Sequence, residues 1–258
     1  MYVTCKLFGG LGNRLFQIAA MLGYAEQFKH KAVFVKEWII HNADQPGGNS
    51  VMNIFPDIPT ISAGDLVWNE VTEPGEACMT YRPLYYVEGN VKLTGCFQSE
   101  RYFPKGGVKP QLLPKMRWYP TFFLHIRRGD YLHPMNRHHY VELGNYYRRA
   151  LELFPNGSYI LVCSDDIEWC KATLPKIYSF IGADKWIWFM GDEYATLSAM
   201  MGCTLGGICA NSTFSWWGAY LNPSRDKLVS MPDVWIQAGR GIPKALDIYP
   251  AWAEKVPV

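Results

Sequence analysis

The sequence predicts an α/β protein with parallel sheets, divided into two domains. Three observations carry that prediction. Short apolar segments that read as buried strands alternate with helical patterns along most of the chain. Such alternation gives parallel sheets joined by right-handed crossovers. The segment 104–120, PKGGVKPQLLPKMRWYP, holds four prolines and a glycine pair and reads as a linker. The chain has 258 residues, 49% of them apolar, enough for one large domain or two compact ones. The boundary is placed at 110/111, giving domains 1–110 and 111–258, with the last segment able to pack back on the first domain.

The elements follow in order. YVTCKLF, 2–8, is a short β-branched strand, and GGLGN, 9–13, is a glycine-rich turn. The next helix shows Leu15, Ile18, Ala19 and Leu22 on one face. KAVFVK, 31–36, is a second strand. Residues 41–90 carry Pro46, Gly47, Gly48, Pro56, Pro59, Pro74 and Pro83 and no long periodic segment, so they read as short elements and loops. VKLTGCF, 91–97, is a strand, with QSERYF opening a turn or short helix. After the linker come a strand at 121–126, a helix near 138–154, a strand at 158–163 and a helix near 167–173. A strand at 186–190, a helix capped by Asp192, a strand at 206–210, a helix at 213–221 and a strand at 227–231 complete the series.

Composition excludes several classes. A formal net charge of +2 does not suggest a nucleic-acid or membrane-surface protein. No window reaches the ~18 apolar residues that span a bilayer, and the start lacks the pattern of a signal peptide. Aromatic residues make up 15%, which packs a core or lines a sugar or base site. The seven cysteines, Cys5, Cys78, Cys96, Cys163, Cys170, Cys203 and Cys209, are scattered in apolar runs. That placement predicts reduced, buried thiols in a cytoplasmic protein, where the sequons at Asn156 and Asn211 carry no glycan.

Four motifs sit where strands end, the ligand side of a parallel sheet. GGLGN permits close backbone approach, but Leu15 occupies the third glycine position of a dinucleotide fingerprint and no Lys-Ser/Thr follows for a P-loop. Asn13 is either a helix cap or a ligand contact. HIRRGDY, 125–131, places Arg127 and Arg128 at a strand end, pointing opposite ways if strand geometry persists. One suits a phosphate or carboxylate and the other a structural carboxylate such as Asp130. The Arg128-Gly129-Asp130 tripeptide is discounted as an adhesion motif because it abuts a buried strand. In CSDD, 163–166, one of Asp165 and Asp166 caps the next helix and the other is left for the guanine edge or another partner. In NSTFSWWGAYL, 211–221, Ser212 and Thr213 open a helix whose N–H groups and dipole favour an anion. No cysteine or histidine pair has zinc-site spacing, and there is neither an Asp-x-Asp metal element nor a G-x-S-x-G elbow.

GGLGN-x-x-FQ-x-A, GCFQSERYF, HIRRGDY, CSDD and NSTFSWWGAYL together resemble the alpha-1,2-fucosyltransferases of glycosyltransferase family 11. The resemblance runs through almost the whole chain and is weakest over 41–90. Arg14 stands where bacterial members often carry Gln. The resemblance implies a GT-B fold, two Rossmann-like domains facing across a cleft. It implies inverting, metal-independent transfer of L-fucose from GDP-β-L-fucose to an acceptor glycan, typically O2 of galactose, with no cofactor. By resemblance Arg127 neutralises the diphosphate, and Ser212, Thr213 and Phe214 bind it. Asp165 or Asp166 reads guanine, His125 braces the nucleotide, and Gly12 and Asn13 approach from the other domain. Asp130 is the nearest carboxylate for a base but reads first as an arginine's partner. His133 is a second candidate, and a third option is no base at all. The alternatives are transfer from another GDP-sugar and a glycan-binding protein with a vestigial nucleotide site.

Overall fold

A computed structural model describes residues 1–40, 50–73, 80–112, 116–136, 138–237 and 247–258. Cys78, the breaks at Pro46, Gly47, Gly48 and Pro74, and Pro114 of the linker lie outside the described residues. The chain divides into two compact units, Met1–Leu112 with Ala245–Pro250 and Leu113–Lys244 with Ala251–Val258.

In the first unit, β1 (Tyr2–Cys5) leads through α1 (Leu11–Phe28) to β2 (Lys31–Ala32), which pairs parallel with β1. The predicted 31–36 strand is split. After Val33 the chain leaves β1, and β3 (Phe34–Val35) pairs instead with β4 (Thr60–Ile61) in a separate two-stranded sheet. Two short helices, α2 (Lys36–Ile40) and α3 (Ser50–Ile54), lie between those strands. β5 (Trp68–Thr72) was hidden in the 41–90 stretch: it is an edge strand with only Val71 buried, so it shows no apolar alternation. β6 (Asn90–Thr94) joins it to β1, giving the parallel order β2-β1-β6-β5. The predicted face of α1 is buried at Leu15, Ile18 and Ala19, but Phe16, Gln17 and Met21 are buried too. Gln17 holds the loop after β1, accepting from the Phe8 N–H at 3.0 Å and donating to the Phe8 carbonyl at 3.3 Å.

In the second unit, β7 (Thr121–Ile126) is buried at every position, as a central strand must be. α4 (Gly144–Leu151) starts later than the periodicity suggests, after turns in which Gly144 donates to the Glu142 carboxylate. β8 (Tyr159–Ser164), α5 (Ile167–Ile177), β9 (Trp186–Trp188), α6 (Glu193–Gly202), β10 (Gly206–Ile208), α7 (Thr213–Tyr220) and β11 (Leu228–Pro232) follow. α5 contains Pro175 in its last turn, where the ring removes one backbone donor to the preceding turn. Asp192 caps α6 as expected, accepting from the Ala195 N–H at 2.7 Å. β12 (Glu254–Val256) was not expected, because Val256 is its single buried residue. The six strands are parallel, in the order β12-β11-β10-β7-β8-β9. Phe122, Leu124, Ile126, Tyr146, Ala150, Phe154 and Val162 pack the core on the α4 side, with Phe122 and Phe154 stacked at 4.0 Å. The buried Tyr146 hydroxyl donates towards the Cys209 carbonyl at 2.7 Å and the Ser230 carbonyl at 3.0 Å, tying α4 under β10 and β11.

The expectation of reduced thiols throughout is corrected at one position. Cys5, Cys163, Cys170, Cys203 and Cys209 are free and buried, but Cys96 is disulfide-bonded. Among the described residues, no helix is long and apolar enough to cross a membrane.

Candidate active site

From β7 the chain of the second unit goes to β8 and β9 on one side, then returns to place β10 on the other. The strand order therefore reverses between β7 and β10. Ligands of open α/β sheets bind outside the carboxyl ends of the strands at such a switch point. At this one, the carboxyl end of β7 carries Arg127 and the carboxyl end of β10 leads into Asn211, Ser212 and the start of α7.

The two arginines part as expected, but with different partners. Arg127 takes two carboxylates: its Nη2 donates to Asp130 Oδ1 at 2.6 Å and its Nη1 pairs with Asp165 Oδ2 at 2.9 Å. Its side chain is 33% exposed, so the guanidinium is open to solvent. Arg128 turns to α5, donating from Nε to Asp166 Oδ2 at 3.1 Å with its guanidinium 3.7 Å from the Trp169 ring centre. Asp130 is thus the partner of Arg127, not of Arg128. Asp166 is the cap, accepting from the Trp169 N–H at 3.2 Å. The expectation that the other aspartate is left free is corrected. Asp165 Oδ1 accepts the Arg128 backbone N–H at 2.9 Å while Oδ2 faces Arg127. The cause is proximity across the sheet, since Ile126 and Ser164 are register partners and their loops leave together. Gly129 makes this approach possible, because a Cβ there would overlap the Asp165 carboxylate.

His125 is 4% exposed, and its Nδ1 has no hydrogen-bond partner among the described residues. Burial, helped by the Arg127 charge, pushes the ring down to about 3, so it is neutral. A buried ring nitrogen without a partner costs free energy unless a ligand supplies one. The ring lies 5.8 Å from that of Phe214, the second residue of α7. Ser212 caps α7, its Oγ accepting from the Phe214 N–H at 3.3 Å. Thr213 is the first helical residue, with its N–H at the positive end of the helix.

Motif reading passed over three residues that hold this edge together. Tyr131 donates its hydroxyl to the Asn211 carbonyl at 3.0 Å, stacks on His139 at 5.3 Å, and has the Arg127 guanidinium 5.4 Å from its ring centre. Burial pushes its phenol up to about 12. Asn211 donates to the carbonyls of His139 at 2.8 Å and Trp235 at 2.9 Å. Trp169 is the platform for Arg128. Tyr131 and Asn211 stood inside quoted motifs, but only packing shows that each joins the β7 loop to the β10 end.

The first unit has its own switch point, between β1 and β6, since β2 and β6 flank β1. Gly12 is buried in the first turn of α1. Asn13 is not the cap, a position held by Gly10. Its Oδ1 accepts from Gln98 Nε2 at 3.1 Å, linking the first turn of α1 to the loop after β6. His133 Nδ1 accepts from the Met135 N–H at 3.3 Å, a bond inside its own turn. Among the described residues, no group of three or more His, Cys, Asp or Glu side chains is arranged to hold a metal ion.

Sequence comparison agrees with this geometry. The chain is similar to an Alpha-1,2-colitosyltransferase of Escherichia coli, 27% identical over 278 residues, covering 91% of this chain and 92% of the relative. It is also similar to the O-antigen biosynthesis glycosyltransferase WbnK of Escherichia coli, 36% identical over 124 residues, covering 45% of this chain and 39% of that protein. Residues 119–239 match the family described as Glycosyl transferase family 11, and that span contains the arginine loop, the aspartate pair and the start of α7. The match to this family lies wholly within the second unit, where the chain is similar to glycosyl transferase family 11.

Proposed function

We propose that the protein is an inverting glycosyltransferase of GT-B type that moves L-fucose from GDP-β-L-fucose to a glycan hydroxyl, O2 of a galactose, in alpha-1,2 linkage. The observation that carries the reading is the second unit's switch point. There the partly exposed guanidinium of Arg127 and the N-terminus of α7 lie at neighbouring strand ends, beside a buried neutral His125 whose Nδ1 has no hydrogen-bond partner among the described residues. Breaking a sugar–diphosphate bond builds negative charge on the departing GDP and positive charge on the ring. Fixed donors aimed at the leaving group stabilise that change without reorganising. In this reading Arg127 and the residues that open α7, Ser212, Thr213 and Phe214, hold the diphosphate, and His125 Nδ1 gains a partner from the nucleotide. No metal is required in the proposal, because the guanidinium and helix end supply the positive charge.

Asp165 and Asp166 are proposed to face the guanine. A carboxylate has about four acceptor positions, so each can hold an arginine and still accept from a base edge. Asp130 is proposed to hold Arg127 between turnovers. Gly12 and Asn13 are proposed to bind ligand at the first unit's own switch point. The relative aligned over most of both chains is named a colitosyltransferase, which favours a second reading in which another GDP-sugar, one carrying a colitosyl group, is the donor.

Thermal shift with GDP, UDP and ADP, followed by turnover of GDP-fucose, GDP-colitose and GDP-mannose against an acceptor array, tests these readings. Stabilisation by GDP with turnover of GDP-fucose supports the first. Preference for GDP-colitose supports the second. Stabilisation by none of the nucleotides, with no turnover, would mean a glycan-binding protein.

A further inference from the structure

The buried acid of the first unit has no part in the chemistry above. Glu73 follows β5 directly, and its backbone N–H donates to the Thr94 carbonyl at 2.8 Å. The residue is 8% exposed. Its Oε2 accepts two backbone N–H groups, Cys96 at 2.8 Å and Phe97 at 2.9 Å. These belong to the turn that follows β6. Phe97 sits at φ +52°, a left-handed conformation that L side chains rarely adopt. At Gly95 a Cβ would overlap Glu73, so the turn closes directly on the acid. The next residue, Gln98, is 6% exposed and donates to Asn13 at 3.1 Å. The turn therefore reaches the switch point between β1 and β6, its left-handed residue held by the Glu73 carboxylate and, one position earlier, by the disulfide at Cys96. A surface glutamate would do as well for capping a turn. Burying a charge costs free energy that these two N–H bonds offset.

We propose that Glu73 is a positioning residue for the transfer reaction: its carboxylate fixes the 95–98 turn and, through Gln98, sets Asn13 at the ligand edge of the first unit. This rests on the proposed function. Burial lifts the carboxyl to about 7, against the pull of the Phe97 and Cys96 N–H groups and the Tyr102 hydroxyl. Tyr102 is the titratable side chain that faces it among the described residues, and its neighbour Cys96 is disulfide-bonded and does not titrate. The ionised form holds both N–H groups by charge-assisted bonds, and protonation weakens them.

The test uses the full chain with Glu73→Gln, which mimics the protonated acid, Gln98→Ala, and the double variant. Transfer rates are measured from about pH 5.5 to about pH 8.5, and GDP affinity is measured alongside. Wild-type kcat/KM should fall as pH drops through about 7. E73Q should lie roughly 10- to 100-fold below wild type at the upper end, the scale of a small misplacement of a positioned group, and lose that limb. Q98A should show a similar loss and a flattened limb. The double variant should be no slower than Q98A alone, because both act along one path. GDP affinity, set by the second unit, should change by less than about threefold. E73Q with wild-type rates and an unchanged limb overturns the inference, as do multiplicative losses in the double variant. If E73Q fails to fold, Q98A decides: wild-type turnover there overturns the inference. A wild-type chain that transfers from no GDP-sugar overturns the proposed function and this inference together.

Discussion

Asp130→Asn separates three roles for the carboxylate nearest the arginine loop. Asp130 and Arg127 form an i, i+3 pair at 2.6 Å, with side chains 53% and 33% exposed. A diphosphate arriving at Arg127 competes with this carboxylate. Exposed pairs of this kind contribute about 1 kcal/mol or less. Asparagine keeps an acceptor oxygen in the same place and removes the charge. Removing the competitor should tighten GDP binding by up to about fivefold, the equivalent of about 1 kcal/mol. The kcat should stay within about twofold, and Tm should move by less than about 2 °C. Calorimetric titration with GDP and initial rates with saturating donor read these quantities. A kcat loss of roughly 100-fold with unchanged GDP affinity would make Asp130 the general base instead. Weaker GDP binding would refute the reasoning outright, because it would mean that the carboxylate orients Arg127 for the diphosphate and does not compete with it.

Four further outcomes are expected. Arg127→Ala should lower kcat by roughly 100-fold or more in a folded protein, the scale for losing one preorganised donor; near-wild-type turnover would remove Arg127 from the site. Arg128→Ala should lose about 1–2 kcal/mol of stability in denaturant unfolding, through the lost Asp166 pair and the Trp169 stack. Lys227→Met should cost about 1–3 kcal/mol, because the ammonium donates to the Ala219 and Asn222 carbonyls at 2.7 and 2.6 Å and caps the end of α7. Between pH 4.5 and about 7 folded Glu73 keeps a proton that the unfolded chain has released, so stability should fall as pH rises through that window. Denaturant midpoints across the window should show that slope in wild type and lose it in E73Q.

Much of the second unit was legible because its strands are buried on both faces. TFFLHI and YILVCS read as continuous apolar runs, and their ends mark the site. The helix caps at Asp166, Asp192 and Ser212 were equally local, each a side chain accepting from an N–H two or three residues on. β5 and β12 were not legible, since each is a short strand with one buried residue and its stability comes from a neighbour elsewhere in the chain. The split after Val33 was hidden for the same reason, because β3 pairs with a strand far away in sequence.

By itself the sequence determined the alternation of strands and helices, the family motifs, and the placement of polar residues at strand ends, because period, turn chemistry and capping act over a few residues. Tertiary structure alone decided which charges meet. The register of β7 against β8 brings Asp165 to Arg127 and Asp166 to Arg128, and Asp130 pairs with Arg127 as well. Strand order decided where the switch points lie, between β7 and β10 and between β1 and β6. Burial decided that His125 is neutral and that Glu73 titrates near neutrality, since a pKa depends on solvation and neighbours that no local pattern encodes.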